Sequence, residues 1–144
     1  MREPSAFTEG TSVEMTDPRT LTVLIADDSD AYRSGMARAI RAHPELDLVG
    51  EVDGGVAALA ALAELRPDVA LLDVRMPGLD GLEVTQRLRS IEPALETRVV
   101  LLSAYMDDTV VARAREVGAD AYLSKAASRR EICAEAIRVA RGVE

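Results

Sequence analysis

The stretch that decides the fold is Val69-Ala70-Leu71-Leu72-Asp73-Val74-Arg75-Met76-Pro77-Gly78-Leu79-Asp80-Gly81. It begins with four apolar residues without alternation, a pattern typical of a strand covered on both faces in a parallel sheet. The run ends on a carboxylate and breaks into a Pro-Gly turn. Because open α/β sheets bind ligands at the carboxyl ends of their strands, Asp73 is a candidate for the mouth of a crevice. A cap for the turn that follows explains Asp73 equally well.

The composition favours one domain with an aliphatic core. The chain has 144 residues, of which 48% are hydrophobic but only 3% aromatic. This length fits one domain, and a core of Leu, Val, Ile and Ala suits helices packed on a sheet. The formal net charge of −8 argues against nucleic-acid binding, because that binding depends on Lys and Arg neutralising phosphates. We therefore expect no DNA binding by this chain alone.

Cysteine usage and hydropathy bear on the cellular compartment. Cys133 is the single cysteine, which excludes an internal disulfide, offers no metal-binding spacing and fits a reducing compartment. No run approaches the roughly 18 apolar residues of a membrane span, and the N-terminus lacks a secretory signal pattern. We expect a cytoplasmic location and no membrane partner.

Apolar runs separated by turn signals predict strands that alternate with helices. Strands are expected at Leu21–Ala26, Leu46–Val52, the opening stretch, Arg98–Ser103 and Ala119–Leu123. Helices are expected from a Ser29 or Asp30 cap to about Ala42, over Val56–Leu65, after Asp80 to about Ser90, over about 107–117 and after Ser128 to about Arg141. Residues 1–20 mix small and polar side chains without an apolar period, and we expect a flexible N-terminal leader there.

Local signals mark the ends of several elements. Asp80 followed by Glu83, and Ser128 followed by Glu131, are capping-box patterns at helix starts. Gly118 is expected to close the fourth helix in a left-handed conformation. The second strand alternates well enough to predict that residues 46, 48, 50 and 52 share one side.

Strict alternation of strands and helices, with short connections, indicates βα units and a parallel sheet. The predicted fold class is α/β, a (βα)5 three-layer sandwich of the flavodoxin-like kind with strand order 2-1-3-4-5. We expect this one folded domain to cover residues 21–142.

In this fold, polar side chains from four strand ends meet at the same carboxyl edge. They are Asp27 and Asp28 after the first strand, Asp73 after the third, Ser103 after the fourth and Lys125 after the fifth. Each one alone is explained as a turn former, a cap or a solvated lysine. Carboxylates and an ammonium that converge on one edge are harder to explain without a function.

Carboxylates held in one cleft repel one another and need a counter-ion. A hard divalent cation such as Mg²⁺ answers that need, because it takes one or two carboxylates and keeps positions for water and phosphate oxygens. A carboxylate can also attack phosphorus to form an aspartyl phosphate, while a metal and a lysine balance the charge. The hydroxyl of Ser103 is able to donate a hydrogen bond to a phosphoryl oxygen.

On these motifs, the chain from about Leu21 to Arg141 resembles the receiver domain of two-component response regulators. The matching pieces are Asp27-Asp28, Asp73…Met76-Pro77-Gly78…Asp80-Gly81, Ser103-Ala104 and Gly118-Ala119-Asp120-Ala121-Tyr122-Leu123-Ser124-Lys125. The resemblance implies that Asp73 accepts a phosphoryl group from a sensor histidine kinase and that Lys125 pairs with this group. It also implies a Mg²⁺ or Mn²⁺ site, whose ligands are Asp28, Asp73 and the main-chain carbonyl of Arg75, with Asp27 acting mainly through water.

The same resemblance implies a switch. Ser103 is then the switch hydroxyl, and Tyr122 is the aromatic residue that moves inward when Ser103 turns toward the phosphate. Arg75 and Tyr105 lie two residues beyond the acceptor and the switch positions, where side chains in similar proteins tune the access of water to the phosphoryl group. The implied function is a phosphorylation-controlled signalling switch and not an enzyme.

One departure from the family pattern suggests a subfamily. Ala126 follows Lys125 where many receivers have proline, so a cis peptide there would cost about 3 kcal/mol. This variation is similar to NarL/FixJ-like (LuxR-type) regulators, in which a helix-turn-helix DNA-binding domain usually follows the receiver. The chain stops at Glu144, so we expect DNA binding to belong to a missing C-terminal domain. The C-terminal helices are a candidate surface for a homodimer.

Three other functions fit parts of the pattern. A Mg²⁺-dependent phosphohydrolase with an aspartyl-phosphate intermediate usually has a second acid two residues after the nucleophile, where this chain has Arg75. A nucleotide-binding protein needs glycines after the first strand, where this chain has Asp27-Asp28-Ser29-Asp30. A pseudo-receiver with the same fold but without phosphorylation is the alternative that the sequence leaves open.

Overall fold

The structure is a computed structural model that describes residues 20–91, 95–105 and 107–142. Residues 1–19 of the expected leader lie outside these ranges. Strands and helices alternate along the described chain, as predicted. The strands are β1 (Leu21–Ala26), β2 (Leu46–Val52), β3 (Val69–Asp73), β4 (Arg98–Ser103) and β5 (Ala121–Ser124). The helices are α1 (Asp30–Ala42), α2 (Gly55–Leu65), α3 (Gly81–Arg89), α4 (Asp108–Glu116) and α5 (Arg129–Ala140).

The five strands form one parallel sheet with the order β2-β1-β3-β4-β5, which confirms the predicted topology. The central strand β3 is buried along its whole length. Its residues alternate between two core clusters, with Val69 and Leu71 in one and Ala70 and Leu72 in the other. The opening stretch is therefore covered on both faces, as its uninterrupted apolar pattern predicts.

Helices cover both faces of the sheet. Met36 of α1 and Ile132 of α5 pack in one cluster, whereas Leu62 of α2, Leu88 of α3 and Ala114 of α4 pack in the other. Each of the fully buried Met, Ile and Leu side chains stabilises the fold by about 1.5–3 kcal/mol relative to an exposed one. Because both faces are closed, the polar residues at the strand ends are accessible only from the edges of the sheet.

The predicted helix caps are present. Asp80 with Glu83, and Ser128 with Glu131, form reciprocal capping boxes at the starts of α3 and α5. Ser29, rather than Asp30, is the N-cap of α1, and its side chain accepts a hydrogen bond from the backbone N–H of Tyr32. These local bonds set the start of each helix at the carboxyl edge of the sheet.

The prediction that alternate residues of β2 share one side is wrong. Val23 pairs with Leu48, but the next residue of β1, Leu24, pairs two residues further along β2, so Val49 is an extra residue in the strand. Leu48 consequently packs beside α1 and α5, whereas Val52 packs on the opposite face. A bulge shifts the side-chain alternation by one residue, and the pattern of residue types does not show it.

The strand β5 begins at Ala121, two residues later than predicted, and it includes Ser124. The reason is a polar cluster at the amino edge of the sheet, which we call the Arg89 cluster. Arg89 donates to the carbonyls of Gly118 (3.0 Å) and Thr97 (2.7 Å) and to the carboxylate of Asp120 (2.9 Å). These bonds hold the segment before β5 against the end of α3.

A cleft of about 720 Å³ lies beside this cluster, at the edge opposite the converging carboxylates.

Among the described residues, no helix combines the length and the apolar character that crossing a membrane requires.

Candidate functional site

Three charged side chains meet at the carboxyl edge. Asp73 is the last residue of β3, Asp27 follows β1 and Lys125 follows β5. The Nζ atom of Lys125 lies 2.7 Å from Oδ2 of Asp27 and 3.1 Å from Oδ2 of Asp73. The side chains are largely withdrawn from water, since 17% of Lys125, 2% of Asp27 and 6% of Asp73 is exposed. The lysine therefore bridges two buried carboxylates from strands far apart in the sequence.

Asp28 completes a cluster of three carboxylates. Asp27, Asp28 and Asp73 each offer an oxygen, and these oxygens lie within 4.8 Å of one another. Asp28 is exposed, so the cluster opens to solvent on that side. In the described chain, the ion pair with Lys125 is the one close polar contact of the buried Oδ2 of Asp27. Three carboxylates against one ammonium leave surplus negative charge, and this set of oxygen atoms fits a hard divalent cation.

The turn after β3 holds Asp73 in place. The backbone N–H of Arg75 donates to Oδ1 of Asp73 at 3.2 Å. Gly78 has a φ of +80°, a conformation that favours glycine, and it brings the chain back toward the strand. A Cβ atom on Gly81 would lie 2.4 Å from the carbonyl oxygen of Asp73, so only glycine lets α3 begin this close to β3. The start of α3 thus packs directly against the backbone of Asp73, the candidate acceptor.

The loop after β1 holds Asp27. Its Oδ1 accepts a hydrogen bond from the backbone N–H of Ser29 at 2.8 Å. Its carbonyl oxygen accepts from the guanidinium of Arg33 at 2.7 Å, and this guanidinium also pairs with Asp30. Asp27 is therefore fixed by the first turn of α1, with one carboxylate oxygen left for Lys125.

The site perturbs the acidity of its members. Burial raises the pKa of Asp73 to about 6, and the charge of Asp27 adds to this effect, while Lys125 opposes it. Burial alone would lower the pKa of Lys125, but the adjacent carboxylates of Asp27 and Asp73 outweigh it, so the pKa of Lys125 is raised. The ammonium consequently stays charged at neutral pH, and Asp73 is ionised at a cost in free energy.

The hydroxyl of Ser103 is close to the site but is directed to the backbone. Ser103 is buried at the end of β4. Its Oγ donates to the carbonyl oxygen of Tyr105 at 2.7 Å and accepts from the backbone N–H of Tyr105 at 3.1 Å. Within the described ranges, the hydrogen bonds of this hydroxyl go to Tyr105 and not to Asp73.

The hydroxyl of Tyr122 shares the same acceptor. It donates to the carbonyl oxygen of Tyr105 at 3.1 Å, while its ring packs against the core on the α2–α4 side of the sheet. One carbonyl therefore accepts hydrogen bonds from both predicted switch residues. The Tyr105 side chain itself is 71% exposed, and Arg75 is also exposed. Both residues predicted to tune the access of water therefore face solvent near the cluster.

The sequence analysis missed one residue of the site, Tyr32. The Nζ atom of Lys125 lies over the Tyr32 ring, 4.6 Å from its centroid. The signal available in the sequence is its place in the first turn of the helix that follows the paired acids, because that turn faces the carboxyl edge. Spacing alone does not distinguish this position from its neighbours on α1.

Comparisons with known proteins agree with this geometry. Residues 23–137 match the family described as the response regulator receiver domain. The "Probable transcriptional regulatory protein NarL" of Mycobacterium tuberculosis is 41% identical over 125 residues, which cover 87% of this chain and 57% of that protein. The response regulator GacA of Pseudomonas aeruginosa is 37% identical over 118 residues, which cover 82% of this chain and 54% of that protein. The chain thus spans about half the length of these curated relatives.

A comparison with solved structures also finds a receiver domain. The signal receiver domain of NarL from Mycobacterium tuberculosis matches with a TM-score of 0.83 and 41% sequence identity. The match covers 87% of this chain and 99% of that chain. The likeness therefore extends over nearly all of the described residues and over the whole of that domain.

Proposed function

This chain belongs to the response regulator receiver domain family, and from this premise we propose that it is a phosphorylation-controlled signalling switch of a two-component system. The observation that carries the proposal is the buried position of Lys125 between Asp27 and Asp73. A cation at this place is able to neutralise a phosphoryl group added to either carboxylate. Burial of Asp73 beside Asp27 raises the pKa of Asp73 to about 6, which is consistent with a functional carboxylate.

In the proposed reaction, a carboxylate oxygen of Asp73 attacks the phosphorus of a phosphohistidine on a sensor kinase. A P–O bond forms, the P–N bond breaks, and the released imidazole takes a proton from solvent. Lys125 then pairs with a phosphoryl oxygen. Asp28 and Asp73, together with the main-chain carbonyl of Arg75, would hold Mg²⁺ or Mn²⁺, and Asp27 would act through water. The bound ion supplies positive charge to the transferring phosphoryl oxygens.

The proposed switch begins at Ser103. When Ser103 turns to donate to a phosphoryl oxygen, it leaves the carbonyl of Tyr105. Tyr122, whose hydroxyl already donates to this carbonyl, then becomes its remaining hydroxyl donor, and the proposed inward movement of the ring starts from this bonded position. The coupling free energy of such switches is typically about 1–3 kcal/mol, enough to bias an assembly. Exposed side chains at Arg75 and Tyr105 set how easily water reaches the phosphoryl group.

The proposed partners follow from the relatives. We assign residues 21–142 to the receiver domain and residues 1–20 to a leader, in a cytoplasmic protein. The partner upstream is a sensor histidine kinase. The output is transcription, with DNA bound through a C-terminal helix-turn-helix domain and not through this acidic chain, and the C-terminal helices are the proposed homodimer surface.

The decisive experiment is phosphorylation by a small donor. The protein is incubated with acetyl phosphate and Mg²⁺, and its intact mass is measured. We expect an added phosphoryl group that is absent in Asp73→Asn and that does not form in EDTA. No adduct on the wild-type protein would contradict the proposal and would favour the pseudo-receiver. Steady release of inorganic phosphate at many turnovers per second would favour a phosphohydrolase.

A further inference from the structure

An aromatic ring forms one wall of the site around Lys125. Two walls are the carboxylates of Asp27 and Asp73. The third is the face of Tyr32, whose centroid lies 4.6 Å from the Nζ atom. Ammonium groups within about 6 Å of a ring centroid are attracted by the negative face of the ring. The contact is therefore an attractive one, and it lies at the reactive end of the lysine.

The position of the Tyr32 ring is set by its helix. Tyr32 lies in the first turn of α1, where its backbone N–H is bonded to the N-cap Ser29. Its side chain packs against the core between the sheet and the helices α1 and α5. One turn further along α1, a Cβ on Gly35 would lie 2.0 Å from the guanidinium of Arg129, so α5 begins in close contact with α1 here. The ring thus stands on α1 and packs on the core cluster where α1 and α5 meet.

The hydroxyl of Tyr32 does not explain why an aromatic residue is present. Its oxygen is buried and, among the described residues, it has no hydrogen-bond partner. Burial raises the pKa of the Tyr32 phenol, so the group is neutral at physiological pH and offers Lys125 no anionic charge. What the side chain supplies to the ammonium is the face of its ring.

We propose that Tyr32 is a positioning residue for phosphoryl transfer, whose ring face keeps the Lys125 ammonium at the carboxylates and lets it move onto the phosphoryl group. This inference rests on the proposed function. A carboxylate holds an ammonium through directional hydrogen bonds, which must break when a phosphoryl group arrives. The attraction to a ring face extends to about 6 Å from the centroid, so Lys125, at 4.6 Å, can shift toward the phosphoryl group and keep this contact.

The test compares side chains at position 32. Initial rates of phosphorylation by acetyl phosphate with Mg²⁺ are measured by intact mass for the wild type and for Tyr32→Leu. We expect Tyr32→Leu to be about three- to tenfold slower, the loss appropriate to one cation–π contact. Tyr32→Phe restores the ring without the unpartnered hydroxyl, and we expect it to recover the rate to within about twofold of the wild type.

Two controls separate positioning from stability. Ile40→Val removes one methylene from the buried face of the same helix, away from Lys125, and should lower the thermal midpoint without slowing phosphorylation. The ring-current shift of the Lys125 ε-methylene protons, measured by NMR without any phosphodonor, should be present in the wild type and in Tyr32→Phe and absent in Tyr32→Leu.

Each outcome has a definite meaning. The inference is supported if Tyr32→Leu is phosphorylated more slowly than the wild type, Tyr32→Phe recovers the rate, and the ring-current shift is present in Tyr32→Phe but absent in Tyr32→Leu. A Tyr32→Leu variant as fast as the wild type, or a Tyr32→Phe variant as slow as Leu, overturns it while leaving the proposed function intact. A wild-type protein that acetyl phosphate does not phosphorylate overturns the proposed function, and the inference falls with it.

Discussion

At the scale of single residues, Asp73 and Lys125 have opposite effects on stability although they form an ion pair. Asp73 is buried beside a second carboxylate, so its ionised form is disfavoured. Lys125 is the cation that compensates both acids. Three carboxylates that face one ammonium leave surplus negative charge at the site, and removing one acid should relieve it.

Asp73→Asn should stabilise the metal-free protein at neutral pH. The folded-state pKa of Asp73 is raised from 3.8 to about 6, so its protonated form favours folding below about pH 4, and this contribution is lost as the pH rises through 6. The variant should be more stable than the wild type by about 1–3 kcal/mol at pH 7 and should lose this advantage at pH 4. Urea unfolding in EDTA across this pH range measures the difference. A stability difference between Asp73→Asn and the wild type that does not change with pH would contradict a raised pKa of Asp73 in the folded protein.

Lys125→Met should destabilise the protein, because two buried carboxylates lose their cation. Removing one partner of a buried ion pair costs about 3–5 kcal/mol, and we expect about 2–4 kcal/mol here because the site is partly open. The double variant with Asp73→Asn should recover much of the loss, which a double-mutant cycle measures as a coupling free energy. Additive effects of the two changes would show that the pair is not coupled.

At the scale of elements, the helices and strands are fixed together at both edges of the sheet by different means. At the carboxyl edge, the glycines of the turn after β3 let α3 approach the backbone of Asp73. At the amino edge, the Arg89 cluster joins the end of α3 to β4 and to the start of β5. The strands β4 and β5, which precede or contain Ser103, Tyr122 and Lys125, are thus held by bonds at the edge away from the site.

Arg89→Met should destabilise the fold without altering the charge of the site. The variant removes the Arg89 donor from two carbonyls and from Asp120, which keeps its bonds to Arg98 and to the backbone N–H of Val99. In this cluster 28% of the arginine side chain is exposed. We expect a loss of about 1–3 kcal/mol in the free energy of unfolding. Arg87→Met, at an exposed position of the same helix, is the matched control and should change the free energy of unfolding by less than about 0.5 kcal/mol. Equal losses in the two variants would exclude a special role for Arg89.

At the scale of the whole molecule, metal binding should add to the stability of the fold. Two of the three carboxylates follow β1 and the third ends β3, so their cluster exists only in the folded chain. An ion that binds only the folded state at a concentration 100 times its Kd stabilises it by about 2.7 kcal/mol. The acidic chain, with a formal net charge of −8, favours cation binding further.

Mg²⁺ should therefore raise the thermal midpoint of the wild type, and Asp28→Asn should lose most of this shift. Asp28 is exposed, so its substitution should leave the metal-free midpoint nearly unchanged. Thermal scans in EDTA and in increasing Mg²⁺ measure both effects. An equal Mg²⁺ shift in Asp28→Asn and in the wild type would place the ion outside the cluster.

The sequence alone determined the elements, their order and the edge at which the charged residues meet. This was possible because each βα unit has a local signature, such as the apolar run of β3 or the capping box at Asp80. A parallel sheet with helical connections then forces the carboxyl ends of all strands to one edge, whatever the side-chain details. The convergence of Asp27, Asp73 and Lys125 follows from topology.

Only the tertiary structure decided how the side chains at that edge are arranged. It places Lys125 between two carboxylates and over the Tyr32 ring, it directs Ser103 to the carbonyl of Tyr105, and it inserts Val49 as a bulge in β2. The physical reason is that rotamers and strand register depend on packing between segments distant in the chain. Local sequence patterns give the spacing of residues along one helix or strand, but they do not show which side chains of other helices and strands contact them.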